Sequence, residues 1–346
     1  MPGAFVRDSR KEESMAATIK DIRKRTGLSL ATISKYLNGG NVLPENRAKI
    51  EEAISGLHYE VNELARGLVM NRTRTIGVIV FNIDNMFNGA LLRHIGNELR
   101  RSGYGMLICD SGDSRELEQQ NVRFLISKKV DGILIIPVSE DAAFLQPAKD
   151  AEIPVVVVDR EIENCGCDYV SIDNAGAVHL AVEQLVLQNH RRIAYVGSEE
   201  ADTGRKRLEG FLSSCAEYGI PVPPEYLKKG TLSIEYGYAA FRELMDLPEP
   251  PTAVLLGNYE LTLGAVMAAN ETGKRCPEDV SIFGFDDLIL DHVVRPRICR
   301  VAQPMEQMGK LAAQLLLERI TGEEKKEYRK YILDVSVISG DSVRTI

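Results

Sequence analysis

TIKDIRKRTGLSLATISKYLN (residues 18–38) divides at Gly27 into two short amphipathic helices. Thr18 can cap the first, whose apolar Ile19 and Ile22 share a side with Leu28, and Gly27 permits a positive φ between the two. Ser29 can cap the second, Leu30 to Leu37, in which Ile33 and Leu37 are spaced to pack back on the first helix while Leu30, Ala31, Ser34 and Lys35 face away. Two short helices joined by a glycine turn describe a helix-turn-helix, a motif whose second helix lies in the major groove of DNA. Such pairs also occur in ordinary all-helical domains, so the surrounding chain has to decide.

Working outward, Pro44 suits the first position of a third helix, and Ile50, Ala53, Ile54 and Leu57 recur at i, i+3, i+4 and i+7. That stripe closes a miniature core with Ile19, Ile22, Leu28, Ile33 and Leu37, predicting a head over residues 15–61 after a disordered tail over 1–14. Residues 1–75 hold 13 Lys+Arg and 9 Asp+Glu, a balance of +4, whereas the whole chain of 346 residues carries −8, leaving −12 on the remainder. Phosphate affinity is therefore expected from a small basic head on an acidic body. The segment 62–74 contains about two potential helical turns, too few to stand alone in water and weakened by Gly67.

From Thr18 onward the chain resembles the lactose-repressor (LacI) family of bacterial transcription regulators. The resemblance is carried by TIKDI, TGLSLATISKYLNGG, PENRAKIEEAI and NELARGLVMNRTRTIGVIV, then by HRRIAYVG, RLEGF, PEDVSIFGFDD and LAAQLLLERI across the rest of the chain. It implies that 62–70 is a hinge helix ordered when two copies pair over the minor groove, with Leu68 wedged between base pairs. The head departs from the family pattern at Arg23 (usually a small alanine), Leu43 (a capping serine), His58 (a helix-ending glycine) and Val61 (proline). Arg23 matters most, because a buried guanidinium would be costly unless its stem reaches solvent. In the DNA-facing set, Lys35 can pair with guanine and Leu30 and Ala31 can touch a thymine methyl, while Thr32, Ser34 and Asn38 are expected to hold phosphates. Thr18, Ser29 and Asn62 complete that set with Leu68.

After Thr75 the rhythm changes. Apolar runs TIGVIVF (75–81), YGMLICD (104–110), DGILIIP (131–137) and PVVVVD (154–159) alternate with helical stretches, and the pattern restarts with HRRIAYVG (190–197), TAVLLG (252–257) and VSIFGFDD (280–287). Continuous apolar runs separated by helices predict doubly wound parallel sheets. Two windings give two lobes, the layout of a type I periplasmic-binding-protein-like body in which the chain crosses three times. The expected lobes are 75–172 with 302–327 and 173–301 with 328–346, and YILDVSVI (331–338) is expected to end as one strand.

In such sheets ligands lie beyond the carboxyl ends of the strands. That places Asn82, Asn85 and Phe87, Asp110 and Ser111, Asp159 and Arg160, Arg207 and Phe211, Asn258 and Tyr259, and Asp286 around an interlobe cleft. Asp, Asn and Arg suit vicinal hydroxyls, and an aromatic face suits a sugar ring's C–H surface. The family resemblance implies effector contact at Asp159, Arg207, Asn258 and Asp286, while Met86 and Tyr259 depart from the usual proline and aspartate. A sugar or sugar derivative is the expected effector, with a sugar phosphate or uronate as the alternative because of Arg160 and Arg207.

No Gly-x-Ser-x-Gly elbow, HExxH or phosphate-cradling loop occurs, and the five histidines lack ligand spacing, so neither an enzyme nor a metal or cofactor site is expected. The six cysteines are scattered except for Cys165 and Cys167 and read as reduced thiols. No run is long and apolar enough to cross a bilayer, so a cytoplasmic protein is expected. A near-palindromic operator read by a homodimer follows from two-fold symmetry, and a dimer is favoured over a tetramer because no heptad tail follows the last strand. The rival reading is a soluble sugar-binding sensor without operator binding.

Overall fold

Thr18 and Asp21 open the first helix through the aspartate, whose carboxylate accepts from the Thr18 backbone N–H and hydroxyl at 2.9 and 2.7 Å. The computed structural model describes residues 17–37, 39–59, 72–286, 294–322 and 327–346, and the chain divides into two units between Thr73 and Arg74. The head contains α1 (Ile19–Thr26), α2 (Leu30–Leu37) and α3 (Pro44–Leu57). Gly27 ends α1 in the left-handed region, φ 69°. Ile22, Ile33, Ile50 and Ala53 are buried at the centre, with Ile19, Leu28, Leu37, Ile54 and Leu57 packed around them together with Tyr36 and Tyr59.

Three of the family departures acquire a physical meaning here. Arg23 is exposed, because it lies beside rather than on the Ile19–Ile22 stripe, so no guanidinium is buried. Leu43 precedes α3 without a side-chain cap and is 63% exposed. His58 ends α3 at φ 47°, a conformation that glycine adopts without strain. Val61, like the tail 1–14 and hinge residues 62–71, lies outside the described residues.

The body carries two six-stranded sheets. In chain order its first half runs β1 (Thr75–Val80), α4 (Met86–Arg101), β2 (Gly105–Asp110), α5 (Arg115–Ser127), β3 (Gly132–Ile135), α6 (Gln146–Asp150), β4 (Val155–Val158) and β5 (Asp168–Ile172). Its second half runs α7 (Asn174–Leu187), β6 (Ile193–Gly197), α8 (Asp202–Glu217), β7 (Leu227–Lys229), α9 (Ile234–Met245), β8 (Ala253–Leu256), α10 (Tyr259–Thr272), β9 (Ser281–Phe285) and β10 (Cys299–Ala302). The last elements are α11 (Met305–Thr321), β11 (Lys330–Leu333) and β12 (Ser336–Ile338). The first sheet is β11-β5-β4-β3-β1-β2, parallel throughout. The second is β12-β10-β9-β8-β6-β7, parallel except for the antiparallel edge strand β12.

Strands β3, β4 and β8 are wholly buried runs of Val, Ile, Leu, Ala and Gly, as sheets covered on both faces require. The chain returns from β10 to the first lobe through α11, which packs on α4 so closely that a Cβ at Gly309 would lie 2.8 Å from the His94 Cβ. The expected strand 331–338 is instead two, divided at Asp334 and Val335: β11 pairs with β5 and β12 with β10. The third crossing therefore falls inside the segment 328–346 assigned to the second lobe, and β11 belongs to the first. Asp168, fully buried on β5, fixes this corner by accepting from both Arg319 Nε and Nη2 at 2.9 Å and from the Arg329 backbone N–H at 2.8 Å. Among the described residues no helix is long and apolar enough to cross a membrane.

Candidate nucleic-acid face and ligand cleft

On the head, Leu30, Ala31 and Lys35 lie on the exposed side of α2, while Thr32 and Ser34 are half-buried. Ser29 does cap this helix: its Oγ accepts from the Thr32 backbone N–H at 3.1 Å and sits 2.9 Å from the Thr32 hydroxyl. Thr18, Ser29 and Thr32 are thus committed to helix ends as well as lying at the surface. Asn38, Asn62 and Leu68 lie outside the described residues. Sequence reasoning gave no role to the basic residues of α1. Lys20, Arg23 and Lys24 line a shallow groove with Gly27 and Leu30, setting three cations beside the start of α2. An i, i+3, i+4 spacing of cations was the signal that could have found them.

Within the body, the loops at the carboxyl ends of both sheets enclose a cleft of about 1020 Å³. From the first lobe Asn82, Asn85 and Phe87 line it after β1, and Asp159 and Arg160 after β4. Arg207 on α8, Asn258 ahead of α10 and Asp286 after β9 come from the second. Four expectations are corrected. Asp110 is exposed and outside this lining, with its Oδ1 accepting from Gly112 N at 3.0 Å to shape the turn. Ser111 is fully buried, so the cleft is reached one turn later by Asp113 and Ser114. Phe211 is fully buried in the core and stacks on Tyr195 at 5.1 Å, because it lies one helical turn inward of Arg207. Tyr259 is buried and outside the lining.

The local folding that presents each group is specific. Asn85 caps α4, its Oδ1 accepting from Phe87 N and Asn88 N, which leaves its Nδ2 to donate to Glu260 Oε1 at 2.6 Å. Asn258 caps α10 through Leu261 N, and its own Nδ2 donates to Glu260 Oε2. Asp159 and Asp286 both stand in the left-handed region, φ 67° and 72°, directly after strand ends. Asp159 is 5% exposed, and its Oδ1 finds no hydrogen-bond partner among the described residues. Burial raises its carboxyl above the usual range, against the opposing pull of Arg207 and Arg160. Asp286 accepts from Gln303 Nε2 at 2.6 Å, and the buried Gln303 Oε1 is left without a partner among the described residues.

Both arginines are stacked and hydrogen-bonded to the protein, and Arg160 keeps one buried donor, Nε, without a partner among the described residues. Arg207 donates from Nε to Asn174 Oδ1 at 2.8 Å and from Nη1 to Gly257 O at 2.7 Å, and its guanidinium lies 3.8 Å over the Phe285 ring. Arg160 stacks on Phe81 at the same distance and donates from Nη1 to Pro137 O at 3.2 Å. The described lining carries eight carboxylates (Asp84, Asp113, Glu116, Asp159, Glu200, Glu235, Glu260 and Asp286) and three guanidinia (Arg115, Arg160 and Arg207). Glu260 and Gln303 were missed in the sequence. Glu260 follows a strand end by only four residues, whereas Gln303 reaches the cleft from a crossing segment that no strand-end rule selects.

A family model for a periplasmic binding protein-like domain matches residues 182–343. Catabolite control protein A of Priestia megaterium is 32% identical over 312 residues, which cover 89% of this chain and 94% of that protein. The HTH-type transcriptional repressor CytR of Escherichia coli is 32% identical over 341 residues, 97% of this chain and 99% of its own length. Among solved structures, the complex of the transcriptional regulator CelR with cellobiose superposes with a TM-score of 0.71 at 28% identity, covering 94% of this chain and 99% of that one.

Proposed function

The chain belongs to the LacI family of DNA-binding transcriptional regulators, and from that premise we propose that it is an operator-binding homodimer governed by a neutral, hydroxyl-rich ligand in the interlobe cleft. One observation carries the choice of ligand. Three buried atoms at the cleft lack partners among the described residues: Asp159 Oδ1 and Gln303 Oε1, which accept, and Arg160 Nε, which donates, so a bound molecule has to offer both donors and acceptors, as hydroxyls do. Sugar hydroxyls do both; the ionised group of a phosphate or uronate derivative only accepts, and would meet eight lining carboxylates. Of the arginines that favoured an anion in the sequence, Arg207 is stacked and hydrogen-bonded to the protein through Nε and Nη1, and Arg160 is stacked with Nη1 engaged and offers Nε alone. A sugar is therefore ranked above a sugar phosphate.

Closure of the lobes on such a ligand changes operator affinity to the extent that the ligand prefers one state. On the DNA side, Lys35, Leu30 and Ala31 read base edges, and Lys20, Arg23 and Lys24 hold the flanking phosphates. The deciding experiment for the cleft is a thermal-stability screen of the full chain against sugars, including cellobiose and ribose, and their phosphates. A ligand that binds the folded state raises the melting temperature. Neutral sugars are expected to shift it and anionic derivatives are not; a shift from the phosphates alone overturns the assignment. For the head, competition binding of a palindromic duplex library against random duplex is expected to enrich a two-fold site, and no enrichment overturns operator recognition.

A further inference from the structure

Glu260 occupies an unusual position. It lies at the start of α10 in the second lobe, yet its carboxylate takes the side-chain amide of Asn85 from the first lobe on one oxygen and that of Asn258 from its own lobe on the other. Both amides belong to residues that line the cleft, and both have their Oδ1 atoms occupied in capping helices, so Nδ2 is the part each can offer a ligand. The carboxylate therefore consumes the donors available there. Asp159 Oδ1 and Gln303 Oε1, elsewhere on the same cleft, remain without partners among the described residues.

We propose that Glu260 is a clasp between the lobes and an internal stand-in for the ligand, whose displacement selects the molecule that binds. This rests on the cleft reading above and deepens it. A carboxylate accepts and does not donate when ionised, so the subsite beside Asn85 and Asn258 is built for an acceptor, such as a ring oxygen or the lone pair of a hydroxyl. The subsite at Asp159 and Gln303 takes donors, with the unpartnered Nε of the neighbouring Arg160 offering one in return, as a hydroxyl can satisfy. The ligand is thus an oriented polyol: an acceptor edge replaces Glu260 at the two asparagines, and vicinal hydroxyls donate to Asp159. An ammonium group at the asparagine end could not replace Glu260, since it cannot accept from two N–H donors. Among the described residues two ion pairs bridge the same lobes, Arg205 with Glu140 at 2.6 Å and Lys206 with Glu161 at 2.8 Å, beside a hydrogen bond from the Glu161 backbone N–H to Asp202 Oδ2 at 3.3 Å. None of these reaches the ligand-facing amides, so the Glu260 contact is the one that ligand chemistry can exchange.

Hydrogen–deuterium exchange of the full chain without ligand tests the clasp directly. Asn85→Ala is expected to speed exchange across residues 258–262, and Glu260→Ala across residues 82–88, with the double variant at each segment no faster than the faster of the two singles, since Asn85 also caps α4. Glu260→Gln, which keeps one acceptor oxygen and the side-chain shape, is expected to fall between wild type and Glu260→Ala. If Asn85→Ala leaves 258–262 unchanged, or the two single effects simply add, the clasp is wrong. The stand-in role is tested with whichever neutral sugar shifts the wild-type melting temperature: the shift is expected to be larger in Glu260→Ala, because nothing has to be displaced, and a smaller shift overturns it. Should no sugar shift the wild type, the proposed cleft function fails, while the exchange data still decide the clasp.

Discussion

Glu260 also gives the body a titration near neutrality, so the clasp of two amide donors on its ionised form is complete only above that point. Burial, with Asp286 nearby, pushes its carboxyl up to about 7. The unfolded chain ionises it near 4.5, so the folded state binds the proton more tightly and the associated stability is fully present below that value. It is lost as pH rises from about 4.5 through 7, after which the curve flattens; the change is on the order of 2–3 kcal/mol. Melting temperatures of wild type and Glu260→Gln between pH 5 and 8 are expected to differ in slope, with the variant flatter. Equal slopes would remove Glu260 as the titrating group. At this scale the sequence showed the chemistry better than the placement. The rule that strand ends carry ligands put Asn85, Asp159, Asn258 and Asp286 on the cleft, because a parallel sheet leaves those loops nowhere else to go. It failed at Asp110, whose carboxylate folds onto its own turn, and at Phe211, since which face of α8 is inward depends on packing against Tyr195.

The elements themselves show the same division between local and distant causes. The buried runs β1, β3, β4 and β8 were legible because each is a continuous apolar run, in β1 from Ile76 onward. Strand β5, DYVSI, was not, since its Asp168 is tolerated in the interior only through Arg319 and Arg329 from the far end of the chain. Helix α9 was also missed. Its inward residues Gly237, Ala240, Phe241 and Leu244 follow helical spacing, but two of the four are too small to mark a stripe. Their smallness lets α9 lie against α10: a Cβ at Gly237 would stand 2.5 Å from the Leu261 carbonyl oxygen. Gly237→Ala is expected to destabilise the body by about 1–3 kcal/mol through that backbone clash, read as a lower melting temperature. In the head the sign reverses. His58 holds φ 47° at the end of α3, so His58→Gly is expected to stabilise the three-helix core by about 1 kcal/mol. Slower amide exchange in α3, with the body unchanged, is the measurement that checks it.

Across the whole molecule, charge is divided as function would require: +4 over residues 1–75 and −12 over the rest. An acidic body gains nothing from nonspecific duplex, so affinity for phosphate falls to the few cations the head exposes. The roles proposed for them are separable. Lys35 is on the exposed side of α2 with Leu30 and Ala31, where a base edge would lie, whereas Lys24 and Arg23 line the groove beside the start of that helix. Each phosphate contact releases condensed counterions, so its removal flattens the dependence of log K on log salt by about one unit, whatever the base sequence. A base contact leaves that slope nearly intact and instead weakens discrimination at one base pair of each half-site by about 1–3 kcal/mol. Titrating the selected operator and single-substitution versions of it at several salt concentrations therefore distinguishes the two roles in the full chain. Lys35→Ala is expected to lose preference at one position with the slope kept, and Lys24→Ala to lose slope with preference kept. The reverse pattern would mean that α2 lies along the backbone and that the groove beside α1 meets the bases.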